Sequence, residues 1–360
     1  MRKILKPRYI SCLVLIALLG SLLLVGGCQK STVETSTADE AAQTRTIVDQ
    51  AGREVTLPLE VNRVISTWRP CTFLVYAVGG QEKLVGVDIG STKAPFTTAV
   101  YPQIADVTKV GDKKSGINIE EVVAADPDVV FLWSGADTEN YIKQLEQQKI
   151  PAVVLIPETA EQMREATLLI GEILGCSEQA EKVLKYYDDT LALVADKLKD
   201  VPESERKKVF LAGADGFLSS CGTDFYQHYL IEKAGGINVA AELTGGWQEV
   251  SAEQVISWNP DVIILDPYCN DKPEDAVKAN PGLKAITAVQ AGSVYSFPDV
   301  GQWTFPIPQS AMGVLWLSEK LYPDLYKDLD VAAEADNYYQ EFFGIAYSDI
   351  ANSASDHAAH

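Results

Sequence analysis

One segment of this chain occurs twice, and this repeat constrains the fold more than any other feature. Residues 118–132 read NIEEVVAADPDVVFL and residues 251–265 read SAEQVISWNPDVIIL, an offset of 133 residues. Each copy begins with Asn or Ser and has Glu or Gln three residues later, the pattern of a capping box that starts a helix. The following proline cannot continue that helix, and the β-branched runs Val129–Leu132 and Val262–Leu265 are typical of buried strands. The repeat therefore predicts two matched helix–strand units.

A second matched unit precedes each copy of the repeat. The first is strand Arg63–Ser66 with a helix that ends at Gly79-Gly80, and the second is strand Lys208–Ala212 with a helix that ends at Gly235-Gly236. Glycine just after a helix commonly adopts the left-handed conformation that closes it. Strands that alternate with helices form parallel sheets covered by helices. We expect an α/β fold with two Rossmann-like lobes.

A long helix is predicted to join the lobes. Apolar residues recur at spacings of three and four, which marks one buried helix face. They are Ala180, Val183, Leu184, Tyr187, Leu191, Val194 and Leu198. Residues 178–200 would extend roughly 34 Å, enough to pass from one lobe to the other. A single interlobe helix should hinge less than flexible strands would, because bending it breaks helical hydrogen bonds.

The first residues have the layout of a secretory signal peptide. Basic residues precede an apolar run, Ile10–Val25, that is too short to span a membrane comfortably. Gly26 and Gly27 then precede Cys28, which resembles the lipobox where a signal peptidase cuts and the cysteine is lipidated. An ordinary signal peptide with a chance cysteine is the alternative. The polar stretch that follows has no periodicity and is expected to be a flexible tether.

These features predict six regions. They are a signal peptide at 1–27, a lipid-anchored tether at 28–44, an N-terminal lobe at 45–160, a helical connection at 161–206, a C-terminal lobe at 207–347 and a disordered tail at 348–360.

The charge of the mature chain limits its partners. Without residues 1–27, 26 basic and 50 acidic side chains remain, which gives a net charge of −24. Such a charge argues against a nucleic-acid partner. It suits an extracytoplasmic protein, in the periplasm or on the cell surface, that contacts the membrane through a lipid anchor only.

The cysteines and histidines do not form a metal-binding pattern. Apart from Cys12 and Cys28, the cysteines are Cys71, Cys176, Cys221 and Cys269. An exported protein can have a disulfide, here between Cys221 and Cys269, or it can keep buried free thiols. The three histidines are His228, in a predicted helix, and His357 and His360, in the tail. A receptor for a bare transition metal is therefore not expected. No nucleophile elbow, phosphate loop or acid–base pair indicates an enzyme, and no intrinsic cofactor is predicted.

A ligand-binding cleft is predicted where the parallel strands end, because loops and helix N-termini converge there. The residues that follow or flank these strand ends are Trp68, Arg69, Trp133, Ser134, Asp215, Trp247, Tyr268 and Trp303. Any single tryptophan could serve packing alone, and Arg69 could be a solvated side chain at a helix start. Four tryptophans in loops, with few cations, favour a large, flat or partly apolar ligand. Trp258 and Trp316 are expected in the core.

Glu120 and Glu253 occupy the second helical position of the two repeats. A favourable interaction with the helix dipole would explain either one. Since Glu121 and Gln254 already supply the capping boxes, each lobe keeps an additional acid at a matched place. We interpret these two acids, one exposed on each lobe, as residues that bind two basic sites of a membrane partner.

Three stretches carry a family resemblance that runs from about Arg45 to Gly344. They are Arg63-Val-Ile-Ser, Asn118-Ile-Glu-Glu-Val-Val with Pro127-Asp-Val-Val, and Trp247-Gln-Glu-Val-Ser-Ala-Glu-Gln-Val with Pro260-Asp-Val-Ile-Ile. Together they resemble the substrate-binding proteins of ABC importers for iron–siderophores, heme and cobalamin. The resemblance implies that Glu120 and Glu253 dock into arginine-bearing pockets of a permease dimer, which works with a cytoplasmic ATPase.

The resemblance leaves the ligand open. Trp133 and Trp247 resemble aromatic pocket residues of cobalamin receptors. The stretch Trp303-Thr-Phe-Pro-Ile-Pro instead resembles a branch with heme, iron-complex and molybdate or tungstate binders. The expected order is a chelated metal such as an iron complex or heme first, a corrinoid second and an oxyanion third. A sensor without a transporter is the competing class.

Overall fold

The computed structural model describes residues 43–112, 115–269, 271–298 and 300–358. The predicted signal peptide, Cys28 and nearly all of the predicted tether lie outside the described residues. Within these ranges, no helix has both the length and the apolar composition required to cross a bilayer.

The strands alternate with helices along most of the chain. The strands are β1 (Thr44–Val48), β2 (Glu54–Pro58), β3 (Val64–Ser66), β4 (Leu84–Val87), β5 (Thr108–Lys109), β6 (Gly111–Asp112), β7 (Gly116–Ile117), β8 (Val129–Trp133), β9 (Ala152–Leu155), β10 (Lys208–Ala212), β11 (Ser219–Ser220), β12 (Ile237–Asn238), β13 (Gln248–Glu249), β14 (Val262–Leu265) and β15 (Val294–Ser296). The α-helices are α1 (Arg69–Ala77), α2 (Pro95–Val100), α3 (Ile119–Ala124), α4 (Thr138–Gln147), α5 (Ala160–Leu174), α6 (Ser177–Leu198), α7 (Tyr226–Lys233), α8 (Ala252–Trp258), α9 (Pro273–Ala279), α10 (Thr287–Ala291), α11 (Ser310–Leu321), α12 (Val331–Phe343) and α13 (Tyr347–Ala358). Short 3-10 helices cover Gln81–Lys83, Pro102–Asp106, Glu203–Glu205, Pro281–Ala285 and Pro323–Tyr326.

Each lobe is built on a parallel sheet, as the sequence predicts. The N-terminal sheet has the order β5-β4-β3-β8-β9 and the C-terminal sheet has the order β12-β10-β14-β15. In both sheets the strand of the repeat pairs with the strand of the preceding unit, with Val64 opposite Val129 and Val209 opposite Val262. All residues of β14, and all of β8 except Trp133, are buried, because helices cover both faces of the sheets.

The two copies of the repeat adopt matching backbones. Asp126 and Asn259 both have a left-handed conformation, with φ of 46° and 45°, just before the prolines that end the helices. An aspartate follows two residues later in each copy. The Asp128 carboxylate accepts the N–H groups of Asn62 and Arg63. The Asp261 carboxylate accepts the N–H of Lys208. The aspartates thus fix the start of the neighbouring strand in each lobe.

The helix caps differ from the prediction in one respect. The side chain of Asn118 accepts the N–H groups of Glu120 and Glu121, and that of Ser251 accepts the N–H of Gln254. Among the described residues, the side chains of Glu121 and Gln254 do not return a hydrogen bond to their caps. Only half of each capping box is therefore formed.

The predicted interlobe helix is α6, Ser177–Leu198, which packs against α1 and α5 on one side and α7 and α11 on the other. Its buried face includes Tyr187, whose hydroxyl lies 3.2 Å from those of Tyr226 and Tyr229 on α7. Leu191 and Leu198, predicted on the same face, are only partly buried.

The end of the chain departs from the prediction. Residues 347–358 form α13 instead of a disordered tail, and its start is held by Asp336, which accepts the N–H and the hydroxyl of Ser348. Helix α12, assigned from sequence to the C-terminal lobe, packs on α11 and also on the N-terminal lobe, where Tyr339 and Phe343 contact the ring of Phe96. Aromatic packing thus returns the chain to its first lobe.

The cysteines Cys71, Cys176, Cys221 and Cys269 are free thiols in the structure. Of the two alternatives left by the sequence, free thiols are the one observed.

Candidate ligand-binding cleft

The carboxyl ends of the central strands bring residues of both lobes to one region. In the N-terminal lobe β3 leads to Trp68 and Arg69, and β8 ends at Trp133. In the C-terminal lobe β14 leads to Asp266 and Tyr268. Phe305 contacts both Trp68 and Tyr268, which shows that these two strand-end regions face each other.

Aromatic rings form a continuous group across the lobes. The ring centroids of Trp68 and Trp133 are 5.0 Å apart and the planes are tilted by 35°. Phe305 places its edge against Trp68 at 6.5 Å and against Tyr268 at 6.0 Å. Phe305 therefore links the N-terminal tryptophans to the C-terminal tyrosine. Phe305 was not predicted from the sequence, although it lies in the proline-rich loop that carries Trp303.

A cavity of about 510 Å³ opens beside the two tryptophans. It is lined by Thr67, Trp68, Asp112, Ser115, Gly116, Ile117, Trp133, Gly135, Ala136, Asp137, Thr138 and Tyr141. The indole N–H of Trp133 donates to the Glu158 carboxylate at 2.8 Å, which fixes the ring at the cavity edge. Ser134 is partly buried, and its backbone N–H donates to the carbonyl of Leu155. The volume is within the range of small-molecule sites.

Arg69 begins α1 and extends along the cleft. Its guanidinium lies directly on Gly90, where an added Cβ would be 2.1 Å from Nη2. The carboxyl of Asp88 is close by and accepts the hydroxyl and the N–H of Ser91. Burial raises the pKa of Asp88, and its hydrogen bonds with Ser91 and the charge of Arg69 oppose that rise. On the other lobe, burial likewise raises the pKa of Tyr268, and Arg69 again opposes the rise. Arg69 Nε is buried and has no hydrogen-bond partner among the described residues.

Trp247 covers the end of β10 in the C-terminal lobe. Its ring lies flat on Gly213, where an added Cβ would be 2.1 Å from Cε3, and its edge contacts Phe225 at a centroid distance of 5.6 Å. Glycine is required at position 213 because any side chain would displace the indole. Asp215, in the turn after β10, is exposed.

The prediction that Trp303 forms part of the cleft wall is wrong. Its side chain is 3% exposed, its indole N–H donates to the Tyr339 hydroxyl at 2.9 Å, and its ring stacks on Tyr347 at 4.6 Å. The C-terminal helices provide both a hydrogen-bond partner and an aromatic surface, so the indole packs there and does not line the cleft.

Glu120 and Glu253 are both exposed at the second positions of α3 and α8. Neither carboxylate forms an ion pair with any residue in the described ranges. Val123, one turn after Glu120, is also exposed, at 38%. The predicted exposure is therefore present in both lobes, while the docking role stays a prediction.

Comparison with known proteins identifies the family. The family model described as periplasmic binding protein matches residues 65–300, more than half of the chain. The chain belongs to the periplasmic binding protein family. The two parallel-sheet lobes joined by one helix are consistent with this family fold.

Several relatives of this periplasmic binding protein span most of its length. The molybdate-binding protein MolA of Haemophilus influenzae is 29% identical over 338 residues, covering 87% of this chain and 95% of MolA. The solved structure of MolA with molybdate has a TM-score of 0.74 at 27% identity, covering 84% of this chain and 99% of that one. An uncharacterized ABC transporter substrate-binding lipoprotein of Bacillus subtilis is 29% identical, covering 79% and 87%. A vitamin B12-binding protein of Yersinia pestis is 28% identical, covering 59% and 72%.

The cleft of this periplasmic binding protein has the chemistry of a binding site. Its walls are aromatic rings, one guanidinium and buried carboxyls. Among the described residues, no group of three or more His, Cys, Asp or Glu could hold a metal ion. His228 is partly buried and lies 3.4 Å from Glu232 on its own helix.

Proposed function

We propose that this periplasmic binding protein is the substrate-binding lipoprotein of an ABC importer, and that it captures a chelated metal, such as an iron–siderophore or heme-like complex, between its lobes. The observation that carries the ligand class is the aromatic group Trp68, Trp133, Phe305 and Tyr268, which spans both lobes. Flat or partly apolar chelates bury their surface well against such rings. The guanidinium of Arg69 suits a chelate that carries an acidic group.

Two other ligands have a specific observation in their favour. Molybdate or tungstate is supported by the relative from Haemophilus influenzae, which matches nearly the full length of both chains. A corrinoid is supported by the vitamin B12-binding relatives, which cover a smaller share of this chain. We place the chelated metal first because the aromatic walls exceed what a small oxyanion can contact.

The ligand proposal is tested by titration followed through tryptophan fluorescence. The probes are a ferric hydroxamate complex, hemin, cyanocobalamin and sodium molybdate. Protein purified from its native host is analysed in parallel by absorption spectroscopy and metal analysis. An iron complex that binds at micromolar concentration or below supports the proposal. Tight binding of molybdate or cyanocobalamin alone replaces it with the corresponding alternative.

The importer role is tested at the surface of α3 and α8. In this proposal the protein docks on the permease, which works with its ATPase, through Glu120 and Glu253. Removing either carboxylate would leave an arginine of the permease buried and unpaired. Such a loss can cost about 2–5 kcal/mol of binding free energy. Glu120→Ala with Glu253→Ala should bind ligand as the wild type does and fail to support uptake. Glu121→Ala with Gln254→Ala, one position further along the same helices, is the matched control and should support uptake. Uptake at the wild-type rate by the first pair would favour a sensor without a transporter.

The proposed site of attachment is Cys28, which would hold the protein on the outer side of the membrane by a lipid. The lipoprotein of Bacillus subtilis among the relatives supports this proposal.

A further inference from the structure

Asp266 lies at the carboxyl end of the central strands of the C-terminal sheet. It directly follows β14, and its N–H donates to the carbonyl of Ala212, the last residue of β10, at 2.9 Å. Parallel strands present ligand-binding groups at this end of the sheet. Tyr268, whose ring belongs to the aromatic group of the cleft, is only two residues further along the chain.

The carboxyl of Asp266 is incompletely satisfied. The residue is 2% exposed; Oδ1 accepts the N–H of Tyr268 at 3.0 Å, and Oδ2 has no partner among the described residues. Burial raises its pKa to about 6. A buried acceptor without a partner is costly, and such atoms are rare in folded proteins.

The surroundings do not compensate this charge. Among the described residues, the Asp266 carboxylate accepts the N–H of Tyr268 and forms no ion pair. Arg69 does not offset it, because its guanidinium lies against Gly90, near Asp88 and Tyr268. The buried hydroxyls of Ser219 and Ser220, in the strand β11 next to β10, also lack partners among the described residues, but they are neutral.

We propose that Asp266 is a specificity-determining residue that excludes tetrahedral oxyanions from the cleft, so that the accepted ligands present a neutral, cationic or hydrogen-bond-donating part to the C-terminal lobe. This inference rests on the proposed function, because it concerns the same cleft. A dianion placed near an uncompensated carboxylate is repelled strongly where the dielectric constant is low. A carboxylate can only accept hydrogen bonds, whereas every oxygen of a tetrahedral oxyanion requires a donor.

The test is calorimetric titration of sodium molybdate into the wild type, Asp266→Asn, Asp266→Ser and Glu242→Gln at pH 7.5. Asparagine keeps the shape and the acceptor for Tyr268, and serine is a second neutral replacement if asparagine disturbs folding. Glu242→Gln removes the same charge from an exposed position in the same lobe. The molybdate-binding protein of Haemophilus influenzae is the positive control for the assay. Near-ultraviolet circular dichroism checks the fold of each variant.

We expect no molybdate binding by the wild type or Glu242→Gln at up to millimolar concentration, and an affinity at least tenfold higher in both Asp266 variants. Micromolar binding by the wild type overturns the exclusion. Absence of any gain in the two folded Asp266 variants overturns the assignment to this residue. If the control pair Glu121→Ala with Gln254→Ala also fails to support uptake, that result concerns the importer proposal. It leaves the molybdate titrations, and what they say about Asp266, unchanged.

Discussion

The guanidinium of Arg69, on the first lobe, lies beside the phenol of Tyr268, on the second. The Tyr268 hydroxyl in turn donates to Gln302 Oε1 at 2.7 Å, and Gln302 has a left-handed backbone with φ of 53°. This polar contact between the lobes lies next to the aromatic group of the cleft. A ligand that binds to Arg69 would therefore act on both lobes at once.

The position of Arg69 should depend on the absence of a side chain at residue 90. Gly90→Ala would bring a methyl group to 2.1 Å from Nη2, and the backbone at Gly90 does not have a positive φ, so alanine itself is tolerated. We expect Gly90→Ala and Arg69→Ala each to weaken binding of the native ligand about tenfold, equivalent to about 1.4 kcal/mol. In the double mutant the two losses should not add, because both remove one interaction. Additive losses would show that Gly90 acts independently of the guanidinium.

Trp68 and Trp303 should respond differently to truncation. Trp68→Ala removes part of the aromatic wall and should reduce ligand affinity by about 2 kcal/mol or more, with little loss of folding stability. Trp303→Ala removes a buried indole that packs on Tyr347 and should lower the free energy of unfolding by about 3–5 kcal/mol. Urea unfolding and ligand titration on both variants separate these effects. If a folded Trp303→Phe protein loses ligand affinity, Trp303 contributes to ligand binding after all.

Asp266 should make folding stability depend on pH. Its pKa is raised from 3.8 to about 6 in the folded state, so the folded protein binds the proton more tightly than the unfolded chain does. Its contribution is most favourable below pH 3.8 and is lost as pH rises to about 6, with an upper limit of about 3 kcal/mol. Relative to the wild type, Asp266→Asn should therefore be more stable at pH 7.5 than at pH 4. Denaturant unfolding at the two pH values measures this difference, and an equal effect at both would refute it.

The mature protein should begin at a lipidated Cys28. Intact mass of protein extracted from membranes should show an N-terminal cysteine with a diacylglycerol group. Cys28→Ala should release the protein from the membrane fraction without changing ligand affinity. An unmodified protein in the culture medium, or cleavage elsewhere, would contradict the anchor.

Local sequence patterns determined the architecture of the lobes. The repeat at 118–132 and 251–265 predicted both capped helices and both buried strands, because caps, prolines and β-branched runs act over a few neighbouring residues. The spacing of apolar residues likewise located α6 to within two residues at each end. The family of the chain was also evident from these segments.

Only the tertiary structure decided which side chains face the cleft. Trp303 and Phe305 belong to the same loop, yet the first packs on the C-terminal helices and the second meets Trp68. The direction of Trp303 depends on Tyr339 and Tyr347, which lie far along the chain and offer the indole partners that no local pattern reveals. The unpartnered oxygen of Asp266 has the same origin, because burial and missing partners are properties of the assembled lobes and not of the strand that carries the residue.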